Sequence, residues 1–396
     1  MEGDFIKVND WLLPLSWIYG FGVRVRNFLF DVGLLKSHSF DVPVIAVGNI
    51  TVGGTGKTPH VEYLIRLLKE KVSVAVLSRG YKRKSRGFII ADSKSTTRDI
   101  GDEPMQMKTK FGDITVAVDR NRVNGIRRLT DSSTVADIDV ILLDDAFQHR
   151  YVQPGINILL VDYHRLIIDD CLLPAGRLRE PLSAKDRADV VIVTKCPKDM
   201  KPMEYRVTNK MMQLYAYQSL YFTSLKYGSL RPMFGGQDKQ NQGKRPLESI
   251  KADEHILLLT GIASPKQMIQ DLKPYTTHLT PLTYSDHHQF KSKDIQHINN
   301  TFEQLPKPRL LITTEKDAAR LYDVEGLSEE VKNNMYILPV TISFMLDQGE
   351  MFNKYIISHV RKNSRNSILD QRKDDHKSHN SDHSGNRTRT ISFRNN

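Results

Sequence analysis

Short apolar runs alternate with amphipathic stretches over most of the chain. Six of the runs are PVIAVGN (43–49), SVAVLSRGY (73–81), DITVAVD (113–119), DVILLDD (139–145), INILLVD (156–162) and DVVIVTK (189–195). Near-continuous Val/Ile/Leu segments of this length predict parallel strands buried on both faces, with helices between them. Stretches 57–70 and 120–130 carry the helical spacing. The rhythm predicts a doubly wound, mostly parallel α/β sheet over 37–216. Residues 217–235 alternate aromatic and polar around a Gly-Ser turn and predict an extended ribbon. After it, HILLLTGIA (255–263) and RLLITTEKDAARL (309–321) predict a second, smaller α/β unit, closed by a helix over 346–361, so that 217–361 forms the ribbon and second domain.

The N-terminal pattern differs. After Pro14, Trp17, Ile18, Phe21, Val25, Phe28 and Leu29 recur at helical spacing, with Arg24 and Arg26 among them. The charge-free part, Trp11 to Val23, is shorter than the roughly 20 apolar residues a membrane span needs. Residues 1–36 therefore predict an amphipathic helix lying in a membrane interface, aromatics inward and cations at headgroup level. From Lys362 the chain is rich in Asn, Ser, His and charged residues and poor in apolar ones, which predicts a disordered polar tail over 362–396. His376, His379 and His383 lie there and are read as part of that tail, not as a metal site.

Charge narrows the partners. The 396 residues carry 57 Lys and Arg against 46 Asp and Glu, a net +11. Anionic surfaces or phosphorylated substrates are favoured. Cys171 and Cys196 have neither CxxC nor zinc-type spacing, so no disulfide framework is expected and a reducing compartment fits. The opening MEGDF lacks the basic start of a signal peptide.

Chemistry concentrates in NITVGGTGKTP (49–59). A phosphate-binding loop reads G-x-x-x-x-G-K-[ST] between a strand and a helix. Here the eight positions are Thr51, Val52, Gly53, Gly54, Thr55, Gly56, Lys57 and Thr58, with Thr51 replacing the first glycine. The glycines let backbone N–H groups turn toward phosphate oxygens. Lys57 would reach the β- and γ-phosphates and Thr58 would hold Mg²⁺. Such a loop needs a carboxylate at the end of another strand, and DVILLDD supplies Asp144 and Asp145. The cofactors expected are ATP and Mg²⁺. A switch GTPase would need an N-K-x-D, of which VTKCPKD and TTEKD are poor echoes. A deviant-Walker ATPase would carry a lysine where Val52 stands. The alternative kept open is a membrane-associated P-loop ATPase switch that binds partners without phosphorylating a lipid.

VGNITVGGTGKTP, LSRGYKRK, GDEPMQM, VDRNR, LLDDAFQHR, LLPAGRLREPL, VIVTKCP, LTGIASP, SDHHQF and TTEKDAARL occur in this order. The series, running from about residue 10 to 360, resembles the tetraacyldisaccharide 4'-kinase family of lipid A biosynthesis. One departure is Ala146, where the family usually has glycine. The resemblance implies transfer of the γ-phosphate of ATP to the 4'-hydroxyl of a tetraacyldisaccharide 1-phosphate lipid. It implies a peripheral enzyme at the cytoplasmic face of the bacterial inner membrane, with an anionic membrane surface as partner. No nucleic acid and no obligate protein partner are expected. It implies Asp102 as general base, paired with His287 from the second domain; His288 competes for that place. Glu103 could bind Mg²⁺ through water. Gln148 and His149 follow the aspartate pair toward the metal or acceptor. Arg79, Arg120, Arg177, Arg179 and Glu180 are expected to bind substrate, with Arg122 beside Arg120. Lys316 and Asp317 are set near the adenine.

Overall fold

The computed structural model describes residues 8–131, 137–234, 243–322 and 324–363. The histidines of the polar tail and all of 364–396 lie outside the described residues, whereas Lys362 and Asn363 complete the last helix.

Nine strands form the first sheet. From edge to edge they are β14 (Val340–Phe344), β8 (Ser219–Tyr227), β7 (Val190–Thr194), β6 (Ile156–Asp162), β1 (Val44–Gly48), β5 (Val140–Asp144), β2 (Val74–Ser78), β4 (Thr115–Val118) and β3 (Ile89–Ile90). The strands from β8 to β4 are parallel; only the edges β14 and β3 run antiparallel. All six apolar runs read from the sequence are central strands, and β1, β2, β5 and β7 are buried at every position. That complete burial removes any period-2 signal.

The ribbon read at 217–235 has a more specific place. Ser219–Tyr227 is β8 and pairs in parallel with β7, because its inward positions Tyr221 to Ser224 are buried against that strand. Later the chain returns: β14 pairs with β8, and Phe352, Ile356 and Val360 of the helix Gly349–Asn363 join the core beneath the first sheet with Ile45, Leu64 and Leu68. The second sheet has five strands, ordered β11 (Leu279–Thr283), β10 (His255–Thr260), β12 (Arg309–Thr314), β13 (Met335–Leu338) and the antiparallel edge β9 (Arg231–Pro232).

α1 (Leu13–Asp31) turns only Ser16, Gly20 and Phe30 fully inward. Ser16 Oγ donates to Leu172 O at 3.0 Å and accepts from Ala175 N at 2.9 Å. Tyr19 hydroxyl donates to Arg179 O at 2.8 Å, and Arg26 Nη2 donates to Gln148 O at 3.2 Å. The opposite face leaves Trp17, Ile18 and Phe21 about 70% exposed, and Trp11, in the turn Asp10–Leu12 just before the helix, is 93% exposed. No described helix is long and apolar enough to cross a membrane.

Candidate active site

Seven parallel strands deliver their carboxyl ends to one side of the sheet, where open α/β sheets hold ligands. β1 leads into the loop 49–56 and then α2 (Lys57–Leu68). Gly53 (φ 119°) and Gly56 (φ 79°) take left-handed backbone that a Cβ would oppose. The loop is pinned from within and below. Asn49 Nδ2 donates to Thr55 Oγ1 at 2.9 Å, Thr194 Oγ1 donates to Thr55 O at 3.0 Å, and the buried His60 Nδ1 donates to Gly56 O at 2.7 Å. Alongside, Val52 N donates to Arg177 O at 2.8 Å and Arg179 N to Ile50 O at 2.7 Å. The start of α2 therefore presents unpaired N–H groups, positive helix potential and Lys57 to one small volume, a ready site for phosphate.

The carboxylates sit where β5 ends. Lys57 Nζ lies 3.5 Å from Asp145 Oδ1. Asp145 holds left-handed backbone (φ 49°), an unfavourable choice for a non-glycine residue that marks a constrained position. Burial opposes its ionisation, but Lys57, Arg179 and Arg122 outweigh burial and keep its carboxyl below the usual range. Asp144 is enclosed. Its Oδ2 accepts from Ser78 Oγ at 3.2 Å, while its buried Oδ1 has no hydrogen-bond partner. Burial, reinforced by Glu103 and Asp145, pushes its pKa up to about 7. A buried carboxylate oxygen without a donor, with the charges of Glu103 and Asp145 acting on it, fits an oxygen-coordinated divalent cation.

That strain has a measurable consequence. A carboxyl whose folded pKa lies above its unfolded value loses stability for the protein as pH rises from about 4 to about 7, and the loss persists above. Asp144→Asn is expected to raise the melting temperature of the nucleotide-free protein at pH 8, by about 1–2 °C per kcal/mol relieved. The same variant should lose the Mg²⁺-dependent part of nucleotide stabilisation. Calorimetry with and without MgATP checks both; a lower apo melting temperature would contradict the burial argument.

Opposite this edge, α4 (Asp102–Lys110) opens with two acids, after the four-residue α3 (Thr97–Ile100). Asp102 is buried. His287 Nδ1 lies 2.9 Å from its Oδ2, and Arg320 Nε donates to the same oxygen at 2.8 Å. Burial pushes the Asp102 carboxyl up, but His287 and Arg320 together hold it below the ordinary range. His287 itself has left-handed backbone (φ 59°) and meets the Tyr81 ring edge-on at 5.1 Å. His288 instead reaches Asp294 Oδ2 at 3.0 Å, so the choice between the two histidines falls to His287. Lys316 Nζ contacts Glu103 Oε1 at 3.0 Å, Asp286 Oδ1 at 3.2 Å and His287 Nε2 at 3.2 Å. Since Lys316 Nζ donates, His287 carries its proton on Nδ1 and donates it to Asp102.

The remaining sequence-predicted residues divide. Arg179 Nη1 donates to Gln148 Oε1 at 3.2 Å and stands 3.9 Å from Asp145 Oδ2, at the phosphate loop. Arg79 and Arg120 are exposed just past β2 and β4, on the same edge. Arg177 is exposed beside the loop, its carbonyl engaged by Val52. His149 has a buried, unpartnered Nε2, and burial, followed by Arg122, Arg26 and Arg79, pushes its pKa down to about 4. It is neutral near pH 7 with one ring nitrogen available.

Glu180 is not brought to the site: it is buried between Arg187 and Arg26, because the two neighbours Arg179 and Glu180 point to opposite sides of their loop. Arg122 is also interior, its guanidinium spent on the carbonyls of Asp119, Arg120 and Asp144. Asp317 is fully buried and takes Gly261 N–H and the Thr314 hydroxyl, while Lys316 turns to the dyad, so neither stands free to read a base. Ser78, Tyr81 and Arg320 were missed by sequence reading. Arg320 falls four residues after Lys316 on one helix face, a spacing that could have flagged it.

Comparison with known proteins bears on the whole chain. Residues 8–361 match the family described as Tetraacyldisaccharide-1-P 4'-kinase. A tetraacyldisaccharide 4'-kinase of Phocaeicola vulgatus is 58% identical over 368 residues, covering 93% of this chain and 99% of that protein. One from Bacteroides thetaiotaomicron is 53% identical, covering 96% of this chain and 100% of its own length. The crystal structure of LpxK from Aquifex aeolicus in complex with ATP superposes with a TM-score of 0.66 at 29% identity, over 88% of this chain and 98% of that one.

Proposed function

The chain belongs to the tetraacyldisaccharide-1-P 4'-kinase family, and from that premise we propose how its residues divide the work of phosphate transfer. It is an ATP-dependent kinase of lipid A biosynthesis that uses ATP with Mg²⁺. The partner-sorting ATPase switch finds no support among the relatives.

The acceptor's 4'-hydroxyl oxygen attacks the γ-phosphorus. A phosphorus–oxygen bond to the sugar forms, the bond to the bridging β,γ-oxygen breaks, and ADP leaves. Asp102 takes the hydroxyl proton, and His287, donating through Nδ1, holds the carboxylate in position. Lys57 and the backbone N–H groups of 51–58 hold the triphosphate and stabilise charge on the transferring group. Thr58, Asp144 and Asp145, with Glu103 behind them, would hold Mg²⁺, which supplies positive charge at the phosphates. Arg179, with Arg79, Arg120 and Arg177 along the rim and Gln148 and His149 beside them, suits the acceptor's anionic groups. The observation that carries this reading is the Asp102–His287 pair, which joins α4 beside the first sheet to the unit built on the second sheet, while Glu103, next to Asp102, is close enough to Asp144 to raise its carboxyl. The two units act as halves of one site, and closure would shut out water.

We place the enzyme on the cytoplasmic face of the inner membrane, with the exposed side of α1 in the interface. Support comes from its apolar residues, from Arg24 among them, and from the net positive charge. The same helix touches Gln148, Arg179 and Glu180, so a bilayer-bound acceptor would arrive at the site's rim. Trp17→Ser with Phe21→Ser is expected to weaken binding to anionic vesicles by about 10²–10⁴-fold, since each buried aromatic contributes about 1.5–3 kcal/mol. Sedimentation with vesicles measures it, and unchanged partitioning would refute the interfacial placement. The activity is tested with γ-labelled ATP and the disaccharide 1-phosphate in vesicles. Label should enter the lipid; release only as inorganic phosphate would overturn the kinase reading.

A further inference from the structure

Asp102 is held by more than its histidine. The helix Glu315–Leu321 carries four charged side chains that reach out of its own unit or brace those that do. Glu315 Oε1 lies 2.7 Å from Lys110 Nζ at the far end of α4, and Lys110 in turn lies 2.6 Å from Glu62 Oε2 on α2. Lys316 takes Glu103. Arg320 takes Asp102. Asp317 braces Arg320, with its Oδ1 accepting from Arg320 Nη1 at 3.0 Å. The same Nη1 also donates to Gly261 O at 3.1 Å. Gly261 has to be a glycine here, because a Cβ would stand 2.8 Å from Asp317 Oδ1. The Arg320 side chain is 2% exposed, so its guanidinium is fixed on the second sheet before its Nε crosses to the first.

The geometry at Asp102 is one-sided. Both His287 and Arg320 bond to Oδ2, and no described side chain hydrogen-bonds Oδ1. Arg320 Nη2 also stands 3.5 Å from His287 Nδ1, so guanidinium and imidazole pack edge against edge around a single oxygen. A carboxylate with one oxygen clamped from two directions cannot rotate about its Cβ–Cγ bond.

We propose that Arg320 is a positioning residue for the transfer reaction: it commits one oxygen of Asp102 to the interdomain clamp and leaves the other to the acceptor hydroxyl. The proposal rests on Asp102 being the base. Phosphoryl transfer needs little covalent help and depends on alignment, so a misplaced acceptor oxygen is costly even where the base remains. Arg320 touches neither nucleotide nor acceptor in this role. Its loss should appear in kcat and leave the KM for MgATP in place.

A double-mutant cycle tests it, using the full chain with lipid acceptor in vesicles. Arg320→Met is expected to lower kcat by about 10–10²-fold, with the KM for MgATP within about threefold, the mark of an interaction made only in the transition state. Arg320→Lys, which keeps a donor but not the fork, should recover part of the loss. In an Asp102→Ala background, adding Arg320→Met should change kcat by less than about threefold, because a residue acting through Asp102 has nothing left to act on. Equal losses in the two backgrounds, or an unaltered kcat in Arg320→Met, would overturn the positioning role. Near wild-type turnover in Asp102→Ala alone would instead overturn the base assignment. If Arg320→Met does not fold, Arg320→Lys enters the same cycle: a loss confined to the Asp102 background supports the role, and an equal loss in both refutes it.

Discussion

Asp102→Ala is expected to slow phosphate transfer by about 10²–10⁴-fold, the usual contribution of a general base, while MgATP still binds. The residue starts α4, but its backbone does the helical work. The N-terminal position before it is Gly101, which takes a backbone conformation (φ 95°) of its own and caps nothing with a side chain. Removing the carboxylate therefore leaves the helix in place. It also leaves Arg320 with Asp317 and Gly261, so no buried guanidinium is stranded. What disappears is the acceptor for the hydroxyl proton and the partner of His287. Turnover with lipid acceptor and nucleotide affinity by titration calorimetry separate the two effects. A turnover within tenfold of wild type would remove Asp102 from the chemistry.

Lys57→Met should be nearly as damaging, by about 10²–10³-fold in kcat, the cost of deleting one preorganised charge from a transition-state site. Lys57 lies on the first turn of α2, where Pro59 follows without needing an N–H bond, so the helix survives the change. In the free protein Lys57 is balanced by Asp145 at 3.5 Å. Its replacement leaves Asp145 with Arg179 and Arg122 as its remaining cationic neighbours. Weaker triphosphate binding should accompany the slower step. Single-turnover rates at saturating MgATP isolate the chemical part, and an unchanged rate there would exclude Lys57 from charge stabilisation.

Legibility in the sequence followed the range of the interactions. The phosphate loop is local: its glycines, Lys57 and Thr58 lie within eight residues, and the strand before it and helix after it carry their own patterns. The central strands were equally plain, since complete burial leaves an unbroken apolar run. The dyad spans 185 positions, and only a resemblance could bring its members together. Once folded, the left-handed turn at His287 aims that ring, not its neighbour's, at Asp102. Adjacent residues misled in the opposite direction. Arg179 and Glu180 read as one substrate-binding pair, yet Arg179 turns to Asp145 and Gln148 while Glu180 is buried with Arg187 and Arg26. The ribbon at 219–227 gave no sign of parallel pairing with β7, because its partner lies on a strand already satisfied on one side. Arg320 escaped because a guanidinium in an amphipathic helix usually faces solvent, and nothing local says that this one crosses to another unit.

Phosphorus and proton NMR of the purified lipid product after incubation with MgATP tests the central claim most directly. A new phosphomonoester coupled to the proton at carbon 4' of the disaccharide, with the 1-phosphate signal unchanged, is the expected spectrum. Phosphorus appearing only as inorganic phosphate, or as a diphosphate at position 1, would contradict it.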